Sequence, residues 1–247
     1  MTQLAISHIE EIEKRNLSDW DRLRRLGGVA AWLQFLSLVA MMIIMPLVGG
    51  PPESIEATYT MLQEDGLVGI LRLDIATIVL LALFPILTVG LYAALRRARQ
   101  AYALLAVVLI LTGTLLSLAN ESAFSMIYLS KMHAAATTAV RQEQVIAAGE
   151  AVMAGNMWNS TAGFLAGFFM QGGFVFISLV MLRSRGFSKF TAYSGILSNG
   201  LDLIHVPLTL FAPGLAATIL AIGGVFYLVW FPLLGRDLYR LSRDGSA

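Results

Sequence analysis

Phe190–Phe211 reads FTAYSGILSNGLDLIHVPLTLF, a largely apolar stretch that carries Thr191, Ser194, Ser198, Asp202, His205 and Thr209 at spacings of three, four, four, three and four. At about 100° per residue these six side chains share one narrow arc of a helix, and most of the remaining surface of that helix is apolar. A hydrocarbon core of about 30 Å is crossed by about 20 apolar residues, so the stretch is long enough to span a bilayer. Its polar arc must then face protein or water. Ionisable groups at that depth are costly and tend to mark sites, which makes Asp202 and His205 the leading functional candidates.

The rest of the chain belongs to the same class. Of 247 residues, 57% are hydrophobic and 13% charged, half the charged share of about a quarter found in soluble domains. Long apolar stretches lie at about 28–48, 67–95, 102–129, 157–182, 190–212 and 215–234. They predict an all-α integral membrane bundle of six transmembrane helices, with no room for a separate soluble domain. Residues 1–26 are predicted as a cytoplasmic amphipathic helix lying at the interface, with Leu4, Ile6, Ile9, Ile12, Leu17, Trp20, Leu23 and Leu26 as its apolar contacts. Residues 27–236 form the six-span domain and 237–247 a cytoplasmic tail. The first apolar run is longer than a signal-peptide core, so an uncleaved anchor is expected. A short outer-loop helix is expected within 137–155, started by a threonine, and another within 51–66.

Orientation follows from the basic residues. Lys14, Arg15, Arg22, Arg24 and Arg25 precede the first stretch; Arg96, Arg97 and Arg99 follow the second; Arg183, Arg185 and Lys189 follow the fourth; Arg236, Arg240 and Arg243 follow the sixth. With six crossings these fall on one side, leaving Arg72, Lys131 and Arg141 for the other, and the positive-inside rule then places both termini in the cytoplasm. Arginines dispersed over four membrane-edge clusters do not make a nucleic-acid surface. With no cysteine in the chain, disulfides, thiol nucleophiles and thiolate metal sites are excluded.

Polar residues within the other stretches indicate where a cavity lies. Thr114, Ser117, Glu121, Ser125 and Tyr128 share a face, with Asn120 beside it; Arg72 and Asp74 lie at a similar height, and Asn156, Asn159 and Ser160 open the fourth stretch. Their convergence predicts a pocket open toward the outside above a drier inner half. The candidate ligand-binding residues are Asp202, His205, Glu121 and Asp74, with Arg72 and Asn120 as orienting partners. Each has a plainer alternative: Arg72, Asp74 and Glu121 as boundary residues or an ion pair, Asp202 and His205 as a hydrogen-bonded structural pair. Serines and threonines most often bond their own helix, and Gln171 reads as an interhelical hydrogen bond. Gly163 with Gly167, and Gly223 with Gly224, read as close packing points.

Serine, histidine and aspartate on one stripe point in parallel, which is not the geometry of a catalytic triad. A metal site built from Asp74, Glu121, Asp202 and His205 is chemically reasonable but has one histidine where catalytic zinc usually has two or three. Three functions stay open: binding or transport of a small amphipathic or cationic ligand, an intramembrane metal-dependent lipid hydrolase, and a scaffold for a partner protein. The first carries the expectation, without a cofactor, and with membrane lipid, the ligand and a further copy of the chain as candidate partners. Gly69-Ile70-Leu71-Arg72-Leu73-Asp74 also resembles Gly195-Ile196-Leu197 followed by Leu201-Asp202, as an inverted transporter repeat would.

The runs Leu71-Arg72-Leu73-Asp74, Leu91-Tyr92-Ala93-Ala94-Leu95-Arg96-Arg97-Ala98, Ala119-Asn120-Glu121-Ser122-Ala123-Phe124, Ala134-Ala135-Ala136-Thr137-Thr138 and Val180-Met181-Leu182-Arg183-Ser184-Arg185-Gly186-Phe187-Ser188-Lys189 add a resemblance. Together they resemble the bacterial multi-pass membrane family called domain of unknown function 4386. The resemblance covers about 20–241 and implies a protein of the bacterial cytoplasmic membrane, with no inherited catalytic residues.

Overall fold

The computed structural model describes residues 2–50, 52–73 and 75–243, with side chains from Asp19 onward, and among them every regular element is a helix. The candidate Asp74 and the apolar side chains named at 4–17 lie outside what is described. The elements are α1 (Thr2–Val48), α2 (Ile55–Glu64), α3 (Gly66–Arg72), α4 (Ile75–Ala119), α5 (Ala123–Ala134), α6 (Ala139–Ala154), α7 (Thr161–Leu182), α8 (Lys189–Phe211) and α9 (Pro213–Arg243). Several starts are encoded locally. Ser54, Thr138, Ser160 and Ser188 each accept a hydrogen bond from the backbone N–H three residues on, satisfying a donor the first turn leaves free.

The long helices form a closed circuit, with α1 against α4, α4 against α7, α7 against α8, α8 against α9 and α9 back against α1. Helix α4 reverses its role midway: the backbone leaves helical geometry at Arg99 (φ −152°, ψ 68°), so its first arm lies along α1 and its second along α7. The first contact is at backbone distance, since a Cβ on Gly27 would stand 2.8 Å from the Cα of Gly90. Any larger residue at either position would push α1 and α4 apart. Arg24 closes the circuit at the arginine-rich end. Its buried guanidinium donates to the carbonyls of Ala93 (3.3 Å) and Leu241 (3.2 Å) and pairs with Asp21 (2.8 Å), joining three helices. Arg96 lies over the Trp20 ring at 3.7 Å nearby. The largely aliphatic core between the helices holds a row of rings, Phe84 on Phe174, Phe174 on Trp230 and Trp230 on Phe231.

Four stretches are long and apolar enough to cross a membrane: Asp19–Val48, Ile75–Ala134, Thr161–Leu182 and Pro213–Arg243. Their outward faces carry large apolar side chains such as Leu36, Ile43, Leu47, Val108, Leu115 and Val225, a surface that fits lipid rather than water. Helix α8 has the length, 23 residues, but its polar stripe holds its hydropathy below theirs.

Four boundaries differ from the sequence reading, and the first is that nothing sets residues 1–26 apart from the first span, since α1 runs unbroken from Thr2 to Val48. The stretch 67–95 is broken, because α3 ends at Arg72, where the N–H of Leu73 turns back to the carbonyls of Gly69 and Ile70. The stretch 102–129 is broken after Ala119: the Asn120 amide bonds the Leu116 carbonyl, and the Glu121 carboxylate accepts the N–H groups of Ser122 (2.9 Å) and Ala123 (3.2 Å), capping the start of α5. The predicted tail from 237 is still helix, since α9 runs to Arg243. At the end opposite the arginines, α2, α5 and α6 form a small cap with its own core of Tyr59, Met126 and Val145. The expected helices within 51–66 and 137–155 are α2 and α6.

Candidate functional site

Along α8 the polar stripe divides into parts with different partners. At its first turn Thr191 donates to the carboxylate of Asp237 on α9 (2.6 Å), which also accepts the N–H of Ser188 (3.0 Å) and pairs with Arg236 (3.0 Å). Asp237 is fully buried and completely engaged. Ser194 and Ser198 bond carbonyls of their own helix, as such residues usually do. Thr209, at the far end, is exposed and does the same with Val206.

Asp202 occupies the middle and is 9% exposed. Its Oδ2 accepts from the Tyr227 hydroxyl of α9 (2.9 Å) and from the Gln171 amide of α7 (3.1 Å). The Tyr227 oxygen lies 3.0 Å from Asn199 Oδ1 and 3.1 Å from Gln171 Oε1, so three helices meet at one hydroxyl. The other carboxylate oxygen, Oδ1, is buried and has no hydrogen-bond partner among the described residues. It sits over Gly223 of α9, where a Cβ would approach it to 3.2 Å. Glycine at 223 is thus what leaves that oxygen room.

Asp202 lines a cavity of about 140 Å³, together with His205, Gln171, Phe164, Trp158 and Leu220. The hydrogen-bonded Asp202–His205 pair, the plainer alternative of the sequence reading, is not formed. Both side chains face the cavity, and the carboxylate is held from α7 and α9 instead. Toward the cap lies a second cavity of about 500 Å³, where Arg72 and Glu121 stand with Met41, Met45, Met153 and Asn156. Trp158 and Leu220 line both, so the two cavities adjoin there. Arg72 donates to the carbonyl of Gly50 (2.8 Å). Asn120 lines neither cavity; its backbone carbonyl accepts the N–H of Met157, fixing the turn that opens α7. The predicted single pocket is therefore a wide chamber near the cap and a narrow one ending at Asp202.

Among the described residues no group of three His, Asp or Glu side chains stands close enough to hold a metal. Of the proposed ligands, Asp202 and His205 share the narrow chamber while Glu121 lies in the wide one. The suggested repeat also parts company in space. Gly69 lies in the short α3 against Leu62, whereas Gly195 lies within α8 against Trp230 and Ser178.

Sequence reasoning missed Tyr227, Asn199 and Asp237. Asn199 falls one residue outside the three-and-four spacing, and Tyr227 reads as one more aromatic in an apolar run. Gln171 was legible as an interhelical bond, but not that its partner is Asp202. No family model matches the chain, and comparison with curated proteins and with solved structures gives no significant match.

Proposed function

We propose that this chain is a six-span protein of a bacterial cytoplasmic membrane, both termini inside, that binds and moves a small amphipathic cation through the chamber ending at Asp202. Six crossings result from counting the two arms of the Ile75–Ala134 stretch separately and adding α8 to the other three. Arg24, Arg96, Arg236 and Arg240 then gather at one end, as the positive-inside rule expects. Reporter fusions after residues 98 and 187 score cytoplasmic and those near 60 and 145 external; an external score at 187 overturns the topology.

The observation that carries the ligand reading is a buried carboxylate with an unpartnered oxygen, Asp202, among the residues lining a cavity that also presents Trp158 and Phe164. A carboxylate beside aromatic faces is how quaternary ammonium groups are held. The narrow chamber suits a trimethylammonium-sized head. The wider one, with Met41, Met45 and Met153, suits an alkyl tail, methionine being an adaptable apolar contact.

Hexyltrimethylammonium tests this on purified protein in lipid nanodiscs. Ligand in about 100-fold excess over its dissociation constant stabilises the native state by about 2.7 kcal/mol and raises Tm. Asp202→Leu is expected to fold and to lose that shift. A full shift retained in Asp202→Leu overturns the reading.

A further inference from the structure

The hydrogen bonds around Tyr227 are short of two hydrogens. Three oxygens, Asp202 Oδ2, Asn199 Oδ1 and Gln171 Oε1, lie 2.9 Å, 3.0 Å and 3.1 Å from a hydroxyl that has one hydrogen to give. The Asn199 amide is fixed in this sense, because its Nδ2 donates to the Gly195 carbonyl at 2.8 Å. Turning the Gln171 amide over only moves the shortage, since its oxygen would then face Asp202 Oδ2 across the present 3.1 Å contact. A hydrogen on Asp202 supplies one of the two: Oδ2–H donates to Tyr227, whose own hydrogen is released to Asn199 or Gln171, which halves the shortage. Buried oxygens in contact without a hydrogen between them are costly, so the count favours a protonated Asp202 in the empty site.

The surroundings agree. No ion pair joins Asp202 to an arginine or lysine among the described residues. The titratable groups facing it are Tyr227 from α9 and His205 from α8 itself; α7 offers Gln171 and Met170, and α4 offers Ser117. None of these is a fixed cation. A buried carboxyl group without a counter-charge keeps its proton until something positive takes its place.

We propose that Asp202 carries an exchangeable proton in the empty site and that the incoming cation displaces it, making the site a cation–proton exchanger. This rests on the cation-binding reading above. The step balances in charge and atoms: the Asp202 carboxylic acid and a quaternary ammonium ion give a carboxylate–ammonium pair and one proton, released through the wide chamber. A quaternary ammonium ion has no proton of its own, so any proton released comes from the protein.

The test uses the full chain in lipid nanodiscs and hexyltrimethylammonium, with infrared difference spectroscopy alongside a pH indicator in weakly buffered medium. We expect cation titration to remove one protonated-carboxyl band and to release one proton per cation bound. Apparent affinity falls by about tenfold per pH unit on acidification below the midpoint. Asp202→Asn keeps a neutral side chain of the same shape and shows neither band nor release. Labelling aspartate carboxyls with carbon-13 shifts the band in the unsubstituted protein and assigns it to aspartate should that variant not fold. Binding seen by thermal shift, with no band lost and no proton released, overturns the exchange while leaving the binding reading intact. No thermal shift at all overturns both.

Discussion

Asp202 on α8 and Asp237 on α9 are buried carboxylates that each join those two helices, and they differ in whether the protein finishes the job of satisfying them. Asp237 receives the Thr191 hydroxyl, the Ser188 N–H and the Arg236 guanidinium, a complete set for an ionised group. Asp202 receives a hydroxyl and an amide on one oxygen and nothing on the other, and the residue lines a cavity. Burial alone therefore does not tell a site from a strut. Leftover bonding capacity next to a cavity does, because folded proteins rarely leave buried polar atoms unpaired without a reason.

The largest effect that probes this contrast is at the strut. Asp237→Ala strands Thr191, the Ser188 N–H and the Arg236 guanidinium, and is expected to cost about 3 kcal/mol, read as a lowered Tm and lower urea resistance. Asp202→Leu, measured in parallel, stays at or above the unsubstituted stability, since an incompletely satisfied buried carboxyl is replaced by an apolar group. Equal losses at the two positions would erase the distinction.

A smaller effect comes from the cap, where a polar group is buried for structural reasons only. Tyr59 is fully buried and donates to the Val145 carbonyl at 3.0 Å, so Tyr59→Phe is expected to cost about 1 kcal/mol. Burial pushes the Tyr59 phenol above its ordinary value. The folded state thus holds that proton more tightly than the unfolded chain. The contribution is complete below a pH of about 10 and fades as pH rises through the folded value. Hydrogen exchange in α6 should accelerate with pH in that range in the native protein beyond the base-catalysed trend seen in Tyr59→Phe. Identical profiles would mean the hydroxyl contributes nothing to docking of the cap.

Much of this was written in the local sequence. The helical class, the burial of Asp202 and the threonine start of α6 follow from periodicity and capping, which act over a few residues. What was hidden depends on which helix faces which. Tyr227 becomes part of the site because α9 packs antiparallel to α8 and stacks that ring on Phe231, and nothing in its own apolar run says so. Asp237 reads as the start of a tail because it follows Arg236, yet the turn of α9 that carries it faces Thr191. The breaks at Leu73 and Asn120 escape a hydropathy reading because a window of about 19 residues averages Arg72, Asp74, Asn120 and Glu121 into long apolar runs, while backbone and side-chain caps end the helices.

The shared wall between the two chambers has a kinetic consequence. Trp158 and Leu220 are the side chains at which the wide and narrow volumes adjoin, and both are partly exposed. Passage at such a point is governed by rotation about a few side-chain bonds, on the scale of picoseconds to nanoseconds for exposed residues, rather than by the microsecond-to-millisecond rocking of whole helices. If the chambers carry the cation proposed above, its exchange between them is fast compared with any rearrangement of whole helices.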